Sequence, residues 1–120
     1  MSKKILLVDD AAFMRMMIKD ALTKNGYTDI IEAADGEIAC STYAAEKPDL
    51  VIMDITMPNK TGIEALRDIK ASNPAAKIVM CSAMGQESMV VEAIKLGALD
   101  FIVKPFKADR ILQTVQKVLG

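Results

Sequence analysis

The sequence contains no histidine and no tryptophan, and aromatic residues make up only 4% of it. Without histidine the chain has no Ser-His-Asp or Cys-His catalysis, no zinc site built on imidazole and no phosphohistidine of its own. So few rings leave little on which to stack nucleobases. A basic excess is missing too: 15 Lys and Arg stand against 16 Asp and Glu, a net charge of -1. Binding a phosphate backbone needs concentrated positive charge, so no nucleic-acid partner is expected. The two cysteines, Cys40 and Cys81, form no C-x-x-C pair and lie in apolar stretches, where they read as buried free thiols rather than a disulfide. Long apolar runs are also absent. The start, Met1 to Val8, resembles a signal peptide, but Asp9-Asp10 cuts it before an apolar region of about 7–15 residues is complete. No uncharged run approaches the ~18 residues that span a bilayer. A cytoplasmic protein with no membrane partner is the expectation.

What is present is one core's worth of apolar residues, 52% of a 120-residue chain, which predicts a single domain over residues 1–120. Five short apolar runs recur: Ile5 to Val8, Ile30 to Ala33, Leu50 to Met53, Ile78 to Cys81 and Phe101 to Val103. Most are continuous rather than alternating, as in strands buried on both faces. Ile30-Ile31-Glu32-Ala33 is the weakest and is expected at a sheet edge.

Between the runs the spacing predicts five helices. The first places Met14, Met17, Ile18, Ala21 and Leu22 on one face and stops near Asn25-Gly26. The second, from Gly36 to Glu46, has the poorest apolar face and is closed by Pro48. Thr61-Gly62-Ile63-Glu64 has capping-box spacing and opens the third, with Ile63, Leu66 and Ile69 inward. The fourth starts near Gln86, buries Val90, Ala93 and Ile94 and stops at Gly97. In the fifth, Ile111, Leu112, Val115, Val118 and Leu119 make one stripe. Alternating strands and helices with short connections predict an α/β fold, a doubly wound parallel sheet of five βα units. These units use up the chain, so no output domain is expected.

In such a sheet the strands' C-terminal ends share one edge, where ligands bind. Those ends carry Asp9-Asp10, Asp54, Ser82 and Lys104-Pro105. Each has an ordinary explanation: Asp9 or Asp10 as a helix cap, Asp54 as a solvated strand end, Lys104 as a counter-ion, Ser82 as a loop hydroxyl. Their joint placement is harder to explain that way. Two carboxylates ~4 Å apart repel by about 4 kcal/mol at an effective dielectric of 20, so three together call for a cation. An all-oxygen set suits a hard ion such as Mg²⁺, with Mn²⁺ able to substitute. No G-x-x-x-x-G-K-[ST] or G-x-G-x-x-G loop is present to hold a nucleotide. A carboxylate that itself accepts a phosphoryl group is the simpler reading.

Val8-Asp9-Asp10, Met53-Asp54 with Met57-Pro58 and Gly62, Cys81-Ser82-Ala83, and Val103-Lys104-Pro105-Phe106 together resemble the receiver domain of bacterial two-component response regulators. The resemblance covers the whole chain. Asp10 to Met17, Ser82 to Gln86 and Asp100 to Phe106 further resemble the family's stand-alone chemotaxis regulators, of the non-enteric type. The resemblance implies a flavodoxin-like sheet of order 2-1-3-4-5. It implies Asp54 as phosphoacceptor, and Asp9, Asp10, Asp54 and the backbone carbonyl of Thr56 as Mg²⁺ ligands. Lys104 would hold a phosphoryl oxygen, Ser82 would be the switch hydroxyl, and Phe101 the aromatic that turns inward with it. The Lys104-Pro105 bond would be cis. The implied partners are a histidine kinase as donor, a flagellar motor switch protein as target and a phosphatase, all acting on a monomer.

There are departures. Phe101 stands where many members carry Tyr, Lys60 and Thr61 replace the usual loop residues, and Thr56 and Met84 occupy positions that tune phosphate lifetime. Within the family, a phosphorelay intermediate or a regulator unconnected with motility is the near alternative. A flavodoxin-type redox protein lacks support because the hydroxyl-rich phosphate loop after the first strand is absent. A haloacid-dehalogenase-type phosphatase would want a second acid where Thr56 stands.

Overall fold

The computed structural model describes residues 3–83 and 86–119. Met84 therefore lies outside the described residues. The element order is β1 (Lys4–Val8), α1 (Ala12–Thr23), β2 (Asp29–Ala33), α2 (Gly36–Glu46), β3 (Leu50–Asp54), α3 (Gly62–Ser72), β4 (Ile78–Ala83), α4 (Glu87–Lys95), β5 (Asp100–Lys104) and α5 (Ala108–Leu119). All four strand pairings are parallel, and the sheet order is β2-β1-β3-β4-β5.

Continuous apolar runs occupy the middle of this sheet because helices cover both faces there. Successive side chains of a strand point to opposite faces, so each run feeds two cores. Leu6, Val8, Val51, Met53 and Met80 pack under α2, α3 and α4, with Tyr43, Leu66 and Ala93. Ile5, Leu7, Leu50, Ile52 and Val79 pack under α1 and α5, with Leu22, Ile111 and Val115. Full burial of each such Leu or Ile contributes about 1.5–3 kcal/mol against exposure. The weak run at residues 29–33 is the edge strand β2, as its polarity predicts.

The helix boundaries have local causes. Thr61 caps α3: its side chain accepts from the Glu64 N–H, and the Glu64 carboxylate accepts from the Thr61 N–H. Asp35 caps α2 by accepting from the Ile38 N–H. The chain leaves α2 through Lys47 in the left-handed region, just before Pro48. Helix α2 lacks a broad apolar stripe because it packs through small residues, Gly36 and Ala39, plus Tyr43. The buried Tyr43 hydroxyl accepts from Asn73 Nδ2 at 3.0 Å.

Two helix residues expected inside are outside. Met17 is 42% exposed, since α1 meets the sheet along Ile18 and Leu22 and Met17 falls on the flank of that line. Ile94 is 45% exposed. Helix α4 sits against β4 near the end of the sheet, touches the core through Ala93, and has no strand beyond β5 to cover its outer flank. Conversely Thr114 is buried within the apolar face of α5, where Arg110 donates to its hydroxyl.

Among the described residues, no helix is long and apolar enough to cross a membrane. Both cysteines are free thiols, Cys81 buried and Cys40 half-buried.

Candidate functional site

Parallel strands deliver their last residues to one edge. Asp54 ends β3, Ser82 lies one residue before the end of β4, Lys104 ends β5, and Asp9 follows β1 directly. Carboxylate oxygens of Asp9, Asp10 and Asp54 lie within 4.8 Å of one another. Lys104 Nζ reaches Asp9 Oδ2 at 2.9 Å and Asp54 Oδ1 at 3.4 Å. Asp9 and Asp54 are buried, whereas Asp10 is exposed at the rim. The cluster therefore opens to solvent on the Asp10 side.

The ionisation of this cluster follows from its burial. The Asp54 carboxyl titrates above the ordinary carboxylate range, chiefly because burial removes water from the charged form. The Asp9 charge adds to that rise, and Lys104 opposes it. Burial pulls the Lys104 ammonium downward, but its hydrogen bond to Asp9 and the charges of Asp54 and Asp9 outweigh burial and raise it. Lys104 is thus firmly protonated. Behind it, burial pushes the Cys81 thiol up to about 12, which leaves it chemically inert.

Three carboxylates and one ammonium leave two negative charges in a small oxygen-lined space. A hard dication would neutralise them, and the donor set contains no nitrogen or sulfur ligand to favour a softer metal. The residues present fit Mg²⁺.

The carboxylates are held by backbone. Asp54 Oδ1 accepts from the Ile55 N–H at 2.9 Å, and Asp9 Oδ1 from the Ala11 N–H at 2.9 Å. The latter is a turn ahead of α1, not a cap: the N-cap is Ala11, whose side chain bonds nothing. Arg15 donates to the Asp9 carbonyl and, through Nε, to Glu32 at 3.0 Å, tying the end of β1 to α1 and β2.

The segment from Ile55 to Thr61, which carries Thr56, is pinned on the side of α2. Gly62 donates to the Ile55 carbonyl at 2.7 Å, and a Cβ on Gly62 would lie 2.0 Å from the Asp54 carbonyl oxygen. Gly36 donates to the Lys60 carbonyl, and a Cβ there would lie 2.5 Å from that oxygen. Both positions demand glycine for close approach. Asn59, at φ 66, donates to Asp35 Oδ2 at 2.8 Å. On the opposite side Gln86 Nε2 donates to Thr56 Oγ1 at 2.8 Å, while Gln86 Oε1 accepts from the Ala83 N–H at 2.8 Å.

Of the residues expected from the sequence, Asp9, Asp10, Asp54 and Lys104 form one cluster, and Lys104-Pro105 is cis. Ser82 is buried on the neighbouring strand, where its residue partner is Val103 and Asp54 faces Cys81. Ser82 and the half-buried Phe101 share the wall of an open apolar cleft of about 700 Å³ between β4, α4 and β5, with Val90 and Ile94. Thr56 is exposed beside the cluster. The sequence gives no role to Asp35, Asn59 or Arg15, and marks Gln86 only as the start of the fourth helix. The Asp35-Gly36 pair before a helix is a signal that sequence alone carries for the first of these. Asn59 and Gln86 act between chain connections and Arg15 reaches from α1 to β2, and none of the three contacts leaves a periodic trace.

The model of the response regulator receiver domain matches residues 5–116. The chain is 59% identical over 120 residues to "Chemotaxis protein CheY" of Bacillus subtilis (strain 168), covering 100% of both. It is 56% identical over 118 residues to "Chemotaxis protein CheY" of Thermotoga maritima, covering 98% of each. The crystal structure of the receiver domain of NtrX from Brucella abortus superposes with a TM-score of 0.91 at 35% identity, covering 97% of this chain and 98% of that one. The family model covers nearly the whole chain and the fold matches a receiver domain structure: the chain belongs to the response regulator receiver domain family.

Proposed function

We propose that the protein is a cytoplasmic chemotaxis response regulator that accepts a phosphoryl group on Asp54 from a histidine kinase and, once phosphorylated, binds a flagellar motor switch component. The observation that carries this reading is the packing of buried Asp54 against Asp9, Asp10 and the Lys104 ammonium at one sheet edge. Full-length similarity to two chemotaxis proteins supports the biological setting.

In this reading an Asp54 carboxylate oxygen attacks phosphorus and the P–N bond to the donor imidazole breaks. Its electron pair stays on the ring nitrogen, which is then protonated, and an aspartyl-phosphate is left on this chain. The donor must be another protein, because this chain has no histidine. Mg²⁺ would be held by Asp10, Asp54 and the Thr56 carbonyl, and by Asp9 mostly through water, and would supply charge neutralisation for the phosphoryl oxygens. Lys104 pairs with one of those oxygens in place of its present contact with Asp54. The new group brings about -1.5 to -2 charge and needs donors. Ser82 gives one by moving toward it, Phe101 turns into the space beside Ser82, and the outer surface of α4, β5 and α5 changes with them. Hydrolysis by water or with a phosphatase restores Asp54.

Incubation with acetyl phosphate and Mg²⁺ tests the acceptor: intact mass should rise by one phosphoryl group, and Asp54→Asn should stay unlabelled. Equal labelling of that variant refutes the assignment. Phosphorylation-dependent binding to a motor switch component supports the chemotactic role; binding only to a histidine phosphotransfer domain replaces it with a phosphorelay role.

A further inference from the structure

Gln86 is the N-cap residue of helix α4, and its side-chain amide does two things at once. Its oxygen accepts from the Ala83 N–H, next to Ser82, and its nitrogen donates to the Thr56 hydroxyl, two residues past Asp54. One side chain thus joins the end of β4 to the loop that follows Asp54. Ser82 is buried in the wall of the cleft, and Ala83 is covalently bound to it. A backbone shift of Ser82 toward Asp54 carries Ala83 along. The Gln86 amide must then follow Ala83 and lose Thr56, or stay with Thr56 and lose Ala83. Thr56 has little freedom to follow, because its loop is pinned at Gly62, at Lys60 through Gly36, and at Asn59 through Asp35.

We infer that Gln86 is a positioning residue: its bridge between Ala83 and Thr56 is a latch that favours the present position of Ser82 and opposes phosphoryl-driven switching. It acts on the equilibrium between two positions of Ser82 and Ala83 relative to Asp54 and touches no reacting atom. The bridge exists in one arrangement only, so a ligand that draws Ser82 inward must bind against it. The inference rests on Asp54 being the acceptor and Ser82 the mobile hydroxyl.

Beryllofluoride with Mg²⁺, a phosphoryl mimic that adds to an aspartate, serves as the probe. The affinity of the intact chain is measured for wild type, Gln86→Met, Thr56→Val and the double variant. Loss of one or two net hydrogen bonds is expected to tighten binding by roughly two- to tenfold in Gln86→Met. Thr56→Val should tighten it less, since it leaves the Ala83 bond in place, and the double variant should match Gln86→Met instead of summing the two effects. The ¹⁵N spectrum of unliganded Gln86→Met should show the Ala83 amide displaced toward its beryllofluoride-bound position, a change that simple loss of stability does not produce. Affinity unchanged or weakened in Gln86→Met, or full additivity in the double variant, overturns the latch. If wild type itself fails to bind beryllofluoride, the acceptor assignment falls instead. Mg²⁺ affinity alone, equal in wild type and Gln86→Met, separates the latch from damage to the metal site.

Discussion

Gly62 lies against the backbone of Asp54 so closely that a methyl group on its Cα would sit 2.0 Å from the Asp54 carbonyl oxygen. The contact locks the start of α3 to the end of β3, and with it the carboxylate at the centre of the site. Gly62→Ala has no flexible neighbour to displace, since the atoms in the way are backbone. It is expected to destabilise the fold by about 3 kcal/mol or more, at the upper end of overpacking effects. Gly26 makes the useful contrast. It adopts φ +93 with open space around it, so Gly26→Asn, a residue that tolerates the left-handed region, should change stability by less than about 1 kcal/mol. Urea unfolding of both variants checks the pair, and equal losses would show that the close approach to Asp54 is not what requires glycine at position 62.

Asp54 is ionised against the preference of its surroundings. Its pKa is raised in the folded chain, mainly by burial. A carboxyl whose folded pKa exceeds its unfolded one binds the proton more tightly when folded. The fold therefore loses stability as pH climbs from the ordinary aspartate value through the raised one, and above that the penalty is complete. Asp54→Asn cannot ionise, so it should melt higher than wild type at neutral pH without divalent ions, and the gap should close as pH falls below about 3.9. Adding Mg²⁺ should stabilise wild type and leave the variant nearly unmoved. Calorimetry across pH would expose a variant that melts lower, and that result would mean Lys104 outweighs burial.

The central strands and the polar residues at their ends were readable because two signals coincide. Apolar runs such as Leu50 to Met53 stop abruptly at a charge, and parallel strands all stop at the same edge. What periodicity could not supply is strand order. Lys104 lies on β5, three places from β1, yet its ammonium meets the carboxylate of Asp9. That contact depends on order, sheet twist and the reach of a long side chain, and the family resemblance supplied the order. Gln86 with Thr56 and Asn59 with Asp35 are single hydrogen bonds between loops 30 and 24 residues apart, and no spacing rule announces them. Met17 and Ile94 were misplaced for a simpler reason. Hydrophobicity marks a helix face only to within the width of a flank, and flanks at the edge of a sheet stay open.

Lys104 separates two roles that a metal site often merges. Its ammonium is the direct partner of buried Asp9 and the nearer neutraliser of Asp54. Lys104→Ala leaves three carboxylates without it, so the unliganded variant should lose about 1–3 kcal/mol in urea unfolding. The oxygen ligands remain, and removal of a nearby positive charge favours a cation. Calorimetric titration should therefore find Mg²⁺ bound at least as tightly as in wild type, and Mg²⁺ should recover much of the lost stability. Phosphorylation-dependent binding to a motor switch component should be weak. Loss of Mg²⁺ binding in Lys104→Ala would place the lysine in the metal site's framework; full partner binding would remove it from the signalling role.

Asp35 provides a pH dependence of opposite sign to that of Asp54. The Ile38 N–H, followed by Asn59 Nδ2, holds its carboxyl below the ordinary aspartate value. A carboxyl with a depressed folded pKa contributes stability that is fully present above its unfolded pKa and is lost as pH falls through the folded one. Protonation also strips Asn59 of its acceptor, so the loop carrying Thr56 loosens together with the start of α2. Asp35→Asn keeps an oxygen for the Ile38 N–H but turns an amide toward Asn59. The urea midpoint of the variant should be lower than wild type at pH 7, and the difference should shrink as pH falls below about 3.9, where wild type loses the same charge. Because Asn59 anchors the loop from the α2 side, the variant should also bind Mg²⁺ more weakly while its far-UV spectrum stays unchanged. A constant stability difference from pH 7 down to acid would show that Asp35 acts by shape rather than by charge.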